Sequence, residues 1–497
     1  MAEIDRNSYG SILKSIGLFG GVKVFQILIS ILKNKFVAIL LGPVGMGISG
    51  MITSTTSLVN SLFSFGLHTS SVREIAKAVK NEDDHKLSTI ICTLRRIIVF
   101  TGLLGTIVTF ICAPLLSQLS FGNDDFTVAF RIVSVILLFD QLSTGQTAIM
   151  QGTFNYRYMA TSNIIGSFIG LCVSVPFYYF WGQSAIVPVI VVSSFTQLVL
   201  TYHFSRKVKV SPVRQTVKET FTVGRRMIIL GFAIALSGIL SSAQTYVLRD
   251  FISSFGSVAD IGLYMAGIAI ATQYIDVILQ AMGADYSPRL ASVSDDANAF
   301  ISVINRQINL MLTLVTPLII TFILFVSQLI RLLYSTEFMP IIGMVEWIMF
   351  GMFFRAFSWC LSYSMIAKGQ SKTFFVNELF TKCYSLGFSI LGYVLYGFTG
   401  MGIAFCLTYI CYSIHMFLVC KKNYEFNIDK NTLRISLISF MMLFISFTAL
   451  KLLGYSLYRY VCGGLLLLIV WIVSLNILNS MIPLKGIYNS VINKIRC

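Results

Sequence analysis

Apolar runs of about twenty residues, broken by short polar stretches, recur from one end of the chain to the other. A helix needs about 20 such residues to cross the hydrocarbon core of a bilayer. Runs of that kind predict membrane-crossing helices near 12–32, 45–67, 97–117, 130–151, 158–180, 184–204, 226–248, 261–282, 307–330, 341–366, 374–396, 400–420, 433–453 and 461–482. The pattern therefore predicts an all-α integral membrane protein of about 14 transmembrane helices, with connections too short to hold a soluble catalytic domain.

Two short motifs return after six spans. Leu41-Gly42-Pro43-Val44-Gly45-Met46-Gly47-Ile48 follows the first span, and Phe255-Gly256-Ser257-Val258-Ala259-Asp260-Ile261-Gly262-Leu263 follows the seventh. Gln151-Gly152 ahead of Arg157 is echoed by Lys368-Gly369 ahead of Lys372. Such spacing predicts a duplicated architecture. Two pseudo-symmetric six-helix bundles would occupy residues 1–204 and 226–420, joined by a cytoplasmic linker at 205–225. Residues 421–497 would add two further helices and a tail. Gly45–Gly50 has the form G-x-G-x-x-G, but no strand precedes it, so it reads as a tight turn followed by close helix packing rather than a nucleotide loop.

Polar residues inside the spans fall on helical stripes. Ser49, Thr53, Thr56, Asn60 and Ser64 share a face of the second span, and Gly20, Lys23, Gln26 and Ser30 one of the first. Asp140, Thr144, Thr147 and Gln151 do so on the fourth, Ser237, Ser241 and Gln244 on the seventh, and Gln273, Asp276 and Gln280 on the eighth. Ser and Thr also serve as glue between helices, but stripes in both halves predict a polar central cavity lined by spans 1, 2, 4, 7 and 8. Charges at mid-span are costly, about 2.5–3.5 kcal/mol each on insertion scales, and call for a cavity or a partner. Lys23 and Arg355 are read as cavity cations, with Gln26, Thr53, Asn60 and Gln244 as polar lining; Asp140 and Asp276 are read as ion-coupling carboxylates. Glu378 and Lys382, four residues apart, are expected to pair with each other. Glu346, near an outer span end, is expected to snorkel.

Composition agrees with the pattern. Hydrophobic residues make up 56% of the 497 and charged residues 12%, about half of what a soluble surface uses. The net charge of +16 reads as an excess of Lys and Arg in cytoplasmic loops, not as nucleic-acid binding. With both termini inside, 27 of the 37 basic residues lie at cytoplasmic ends and seven, Arg249 and Arg459 among them, at outer ends; this bias sets the orientation. Tyr178, Tyr179, Trp181, Tyr455, Tyr458 and Tyr460 fit an outer aromatic belt. The ten cysteines contain no C-x-x-C pair and read as small apolar fillers. The four histidines have no metal spacing, and no nucleophile elbow, P-loop or zincin motif occurs. No cofactor or metal is expected, and no enzymatic activity.

Lys23, then Leu41-Gly42-Pro43-x-Gly45-x-Gly47, then Phe65-Gly66-Leu67 running into Arg73 and Lys77, with Gln151-Gly152 and its following basic residue, resemble the lipid-linked oligosaccharide flippases of bacterial surface-polysaccharide synthesis. These form the polysaccharide transporter family of the multidrug/oligosaccharidyl-lipid/polysaccharide exporter superfamily, with the O-antigen and enterobacterial-common-antigen translocases among them. Many O-antigen flippases have twelve spans, and the lipid-II flippases of the superfamily have fourteen. The resemblance implies alternating access by two lobes in the bacterial inner membrane. The cargo would be an oligosaccharide on undecaprenyl diphosphate. Membrane lipids, a coupling proton or sodium ion and a polysaccharide polymerase or assembly protein would be the partners. A cation-coupled drug antiporter of the same superfamily should carry acidic residues in the first two spans, and here those spans have none. A membrane glycosyltransferase needs an acidic outer loop with room for catalysis, and Asp124-Asp125 sits in a short one.

Overall fold

A computed structural model describes residues 2–208, 216–368 and 370–481. Helices α1 (Ala2–Ser64), α2 (Leu67–Lys80), α3 (Asp84–Ile111), α4 (Ala113–Phe121), α5 (Thr127–Gly152), α6 (Tyr156–Trp181), α7 (Ile186–Ser205) and α8 (Val217–Phe255) come first. They are followed by α9 (Val258–Ser292), α10 (Ala297–Leu333), α11 (Ile342–Ala367), α12 (Ser371–Tyr424), α13 (Lys430–Leu452) and α14 (Leu457–Met481). No strand occurs among the described residues. The all-helical membrane fold read from the sequence is the observed one. Ten stretches of the described chain are long and apolar enough to cross a membrane. They carry twelve of the fourteen predicted spans, because Tyr156–Ser205 and Thr373–Tyr424 each hold two. The first predicted span lies on α1, mostly ahead of the stretch that begins at Leu28, and the seventh on helical backbone of α8 outside those stretches.

Two helices contain a bend that the sequence encodes. Gly42 adopts φ 64° and ψ −171° in α1, directly before Pro43. Only glycine takes that φ cheaply, and proline then restarts the helix with its φ already set. In α12, Tyr396 and Gly397 leave helical geometry, which separates the eleventh and twelfth predicted spans.

By packing, the chain divides into two compact units. One holds the chain up to Met265 together with Leu333–Phe338; the other holds Ala266–Leu332 and the described chain from Met339. The sequence assigns α8 to the second lobe, whereas α8 packs in the first unit: Met227 joins the apolar cluster of Leu67, Ile75, Ile91, Leu94 and Ile149. Duplication and compactness are separate properties, and the 205–225 boundary is a reading of the repeat. The two repeat motifs meet inside this first unit. A Cβ on Gly47 would overlap the carbonyl oxygen of Val258, and one on Gly262 would overlap that of Pro43. Each motif thus uses a bare backbone to accept the other's carbonyl, so the Gly45–Gly50 run does pack helices closely.

Helix α2 is absent from the predicted spans. Leu67, Ser71, Ile75 and Ala78 are buried, while Thr69, Arg73 and Lys77 are exposed. That is an amphipathic helix lying against α3, α5 and α8. Its period is present in the sequence but hidden by the hydropathy of the neighbouring spans. At the start of α8, Thr216 and Glu219 form a reciprocal cap. The backbone amide and then the hydroxyl of Thr216 hold the Glu219 carboxyl below the usual carboxylate range.

In the second unit α10 is apolar on nearly every face and buried, with α11 and α12 packed closely together. Phe350, Phe353 and Phe354 of α11 pack in tilted and edge-on contacts against Phe440 and Phe447 of α13. Glu346 and Arg459 require two corrections. Glu346 does not snorkel and Arg459 is not an outer loop cation. Arg459 is 1% exposed and sits 2.9 Å from the Glu346 carboxylate. It also donates to the carbonyls of Ile323 at 2.7 Å and Leu450 at 3.1 Å, and the Tyr455 hydroxyl donates to Glu346 at 2.8 Å. Tyr178 likewise leaves the expected belt for the core, while Tyr179, Trp181 and Tyr458 are exposed as a belt requires. Removing one member of a buried pair strands the other charge, at a cost of about 3–5 kcal/mol. Glu346→Ala should therefore lower the thermal unfolding midpoint in detergent markedly, and Glu346→Ala/Arg459→Leu should recover much of the loss. An unchanged midpoint in the single variant would contradict the anchoring role.

Candidate functional site

The polar lining in the first unit is assembled from the second limb of α1 and the C-terminal half of α8. Thr53, Ser54 and Ser57 face Ser241, Ser242, Thr245 and Arg249 around a recess of about 300 Å³. The hydroxyls occupy the α1 turns after the Gly42 bend and the α8 positions 241 and 245, with the Arg249 guanidinium one turn further on the same face. Thr53 donates to the carbonyls of Ser49 at 2.8 Å and Gly50 at 3.0 Å. Ser241 and Thr245 donate to the carbonyls four residues back. Their protons are spent on their own helices, so the oxygens are left as acceptors. Arg249 supplies the donors: its Nη1 reaches the Gly50 carbonyl at 2.8 Å, and its buried Nε has no hydrogen-bond partner among the described residues. Among the described residues Arg249 has no carboxylate within ion-pair distance. A guanidinium beside a wall of hydroxyl acceptors can take an anionic group together with sugar hydroxyls.

The residues that the sequence singles out do not all gather at this recess. Thr53 lines it. Asn60 lies one to two turns further along α1, where its side-chain oxygen accepts from Gln141 of α5 at 2.7 Å. Gln244 is half-buried on α8 and is not part of the lining. The side chains of Lys23 and Gln26 lie outside the described residues. Asp140 is half-buried on α5 and hydrogen-bonded to Ser194 of α7. Further α5 residues tie helices together beside it: Gln141 to Asn60, Ser143 to Thr201 at 3.1 Å and Gln146 to Ser205 at 2.6 Å.

In the second unit the structure joins two residues that lie far apart in the sequence. Arg355 of α11 is 2.6 Å from the Asp276 carboxylate of α9, with side-chain exposures of 22% and 31%. The guanidinium also lies 5.7 Å from the Tyr409 ring centre. The two charges neutralise each other, so in this state Arg355 is not an uncompensated cation and Asp276 is not an open carboxylate. Glu378 and Lys382 pair at 3.4 Å, as their spacing predicts. Counting Arg249 with the outer-end cations hides its place in the lining. Its signal in the sequence is the extension of the Ser237, Ser241, Thr245 ladder by one further turn.

Partners in one ion pair should couple. Asp276→Asn and Arg355→Met should each lower the unfolding midpoint, with the double variant recovering about 1–3 kcal/mol of the summed loss; strictly additive losses would show that the pair contributes nothing beyond its members.

Comparison with known proteins places this geometry. A family model described as polysaccharide biosynthesis protein matches residues 36–343, more than half of the chain. The lipid III flippases of Escherichia coli (strain K12) and Shigella flexneri are each 21% identical over 390 residues, covering 77% of this chain and 91% of theirs. Among solved structures, the lipid II flippase MurJ in an inward closed conformation aligns with a TM-score of 0.67 at 18% identity, over 94% of this chain and 99% of that one. An inward-facing multidrug resistance transporter of the MATE family aligns with a TM-score of 0.67 at 15% identity, over 80% and 94%.

Proposed function

The chain belongs to the polysaccharide biosynthesis protein family, and from that premise we propose that it is a flippase for a lipid-linked oligosaccharide. It moves an oligosaccharide repeat on undecaprenyl diphosphate from the cytoplasmic to the periplasmic leaflet of a bacterial inner membrane. It is a multi-pass transporter, not an enzyme, with both termini in the cytoplasm and transport by alternating access. The observation that carries the reading is Arg249 beside the Thr53, Ser54, Ser57, Ser241, Ser242 and Thr245 hydroxyls. A diphosphate needs donors held in a low-dielectric setting, and a glycan needs hydroxyl partners. Lys23, by its mid-span position, is assigned to the same task. A prenyl tail needs neither and stays in lipid.

Asp140 is the carboxylate assigned to ion coupling. Asp276 already answers Arg355, whereas Asp140 has a neutral hydroxyl beside it. The antiporter reading has the MATE-like fold on its side, but residues 12–67 contain no Asp or Glu to hold a coupling cation.

Deleting the gene should make an undecaprenyl-linked intermediate accumulate on the cytoplasmic leaflet, and the intact chain should clear it. Lys23→Ala and Arg249→Ala should insert at normal levels yet cut surface glycan about tenfold or more, since a hydrogen bond to a charged group contributes about 1.5–3 kcal/mol. Full glycan display by both variants would refute the diphosphate assignment. In reconstituted vesicles, Asp140→Asn should abolish the response of flipping to an imposed proton or sodium gradient, and an undiminished response would remove Asp140 from that role.

A further inference from the structure

A second recess, unconnected with the hydroxyl-lined one, lies in the first unit between α3, α5 and α7. Its volume is about 240 Å³, and it is lined by Arg95, Val99, Leu142, Gln146, Tyr202 and Arg206, among others. Its floor is apolar, and α5 contributes Gly145 there. Its rim is basic: Arg95 and Arg206 are both exposed, and neither has a carboxylate partner among the described residues. Arg206 lies over the Tyr202 ring at 4.7 Å, a cation–π contact between two residues of the lining. Gln146 accepts from Ser205 through its side-chain oxygen at 2.6 Å. Its amide NH2 has no protein partner among the described residues.

The surface beyond the recess is continuous with it and apolar. From Arg95, successive turns of α3 present Val99, Leu103 and Ile107; from Arg206, successive turns of α7 present Tyr202, Val199 and Phe195. All six are exposed. The two helices contribute to the recess from opposite ends, so both arginines stand at one end and both apolar tracks run away in one direction. Along α3 the track from Arg95 to Ile107 covers about 18 Å at 1.5 Å per residue. Two cations without a carboxylate partner among the described residues, at the head of a parallel apolar track, match an anionic headgroup with acyl chains below it, and no Asp or Glu among the described residues lines the recess. The end concerned is the one to which the distribution of Lys and Arg assigns the cytoplasm, where anionic lipid attracts basic residues.

We propose that this recess is a binding site for an anionic glycerophospholipid, with the phosphate held by Arg95, Arg206 and the Gln146 amide and the chains lying along α3 and α7. The proposal does not depend on what the protein transports.

Native mass spectrometry of the purified full-length chain in detergent tests it, with phosphatidylglycerol and phosphatidylcholine of the same acyl chains as probes. The wild-type chain should bind the first phosphatidylglycerol about tenfold more tightly than phosphatidylcholine, a ratio in keeping with charge-assisted contacts. Arg95→Gln/Arg206→Gln should bring the two lipids within about twofold of each other. Val99→Trp, which keeps both arginines but fills the recess, should weaken phosphatidylglycerol as well. Arg131→Gln, at an exposed site on α5, should leave the preference intact. Thermal unfolding of each variant checks that it is folded. Equal affinity for both lipids in the wild-type chain would overturn the proposal, as would a preference that survives in the double arginine variant. Displacement of phosphatidylglycerol by inorganic phosphate at equal concentration would also overturn it, because it would assign the arginines to a free anion.

Discussion

A charge on a helix that crosses hydrocarbon must be answered, by a partner, by a backbone dipole or by water, because the bilayer offers nothing else. The second unit meets this requirement with pairs. Arg355 faces Asp276 across α11 and α9, Lys382 faces Glu378 within α12, and Arg459 faces Glu346 across α14 and α11. The first unit meets it differently. Arg249 leans on the Gly50 carbonyl, and Asp140 on the Ser194 hydroxyl. The Arg355–Asp276 and Arg459–Glu346 pairs link different helices, whereas a guanidinium left on a carbonyl keeps donors to offer. The two units thus answer their ionisable residues differently: by opposite charges in the second, and by a backbone carbonyl and a hydroxyl at Arg249 and Asp140 in the first.

The close approach of the repeat motifs follows from the same shortage of alternatives. Between membrane helices the apolar driving force is weak, since lipid tails are as apolar as leucine, and tight backbone contact takes its place. Gly47 against Val258 and Gly262 against Pro43 are reciprocal uses of one device. The two similar glycine motifs of the sequence are therefore also in contact with each other. Hydroxyls do similar work elsewhere in the first unit, as with Ser61 and Ser242 at 2.9 Å and Thr55 and Ser120 at 3.1 Å.

The helical membrane fold was legible because it rests on apolar runs of span length, which one residue in twenty cannot disguise. The Gly42 bend was legible because Leu41-Gly42-Pro43 admits few backbone paths. Partnership was not legible where it joins residues distant in the chain. The spacing of Glu378 and Lys382 announces a pair on one helix, but nothing local ties Arg355 to Asp276, 79 positions earlier, or Arg459 to Glu346. Stripes misled in a related way. On α5 the predicted face passes through Asp140, Thr144 and Thr147; of these Asp140 meets Ser194 of α7, while the other bridges run from Gln141, Ser143 and Gln146, off that face. A stripe locates polar residues on a helix; whether they meet a neighbour or a recess depends on the neighbour's position.

Arg459 also bears on the role of α13 and α14. They stand outside the repeat that the glycine motifs suggest, which invites reading them as an appendage. Glu346 lies in the first turns of α11, within the duplicated part, and its carboxylate is answered by an arginine and a tyrosine from the segment that follows α13. The same arginine satisfies a carbonyl of α10. Without α14, Glu346 would have to take up a proton or draw in water, and the Ile323 carbonyl would lose a donor. Neither half of that arrangement is stable alone in an apolar medium. The additional helices are accordingly part of the second unit's internal charge balance, and the aromatic packing of α13 on Phe350, Phe353 and Phe354 seals the interface that keeps the pair dry.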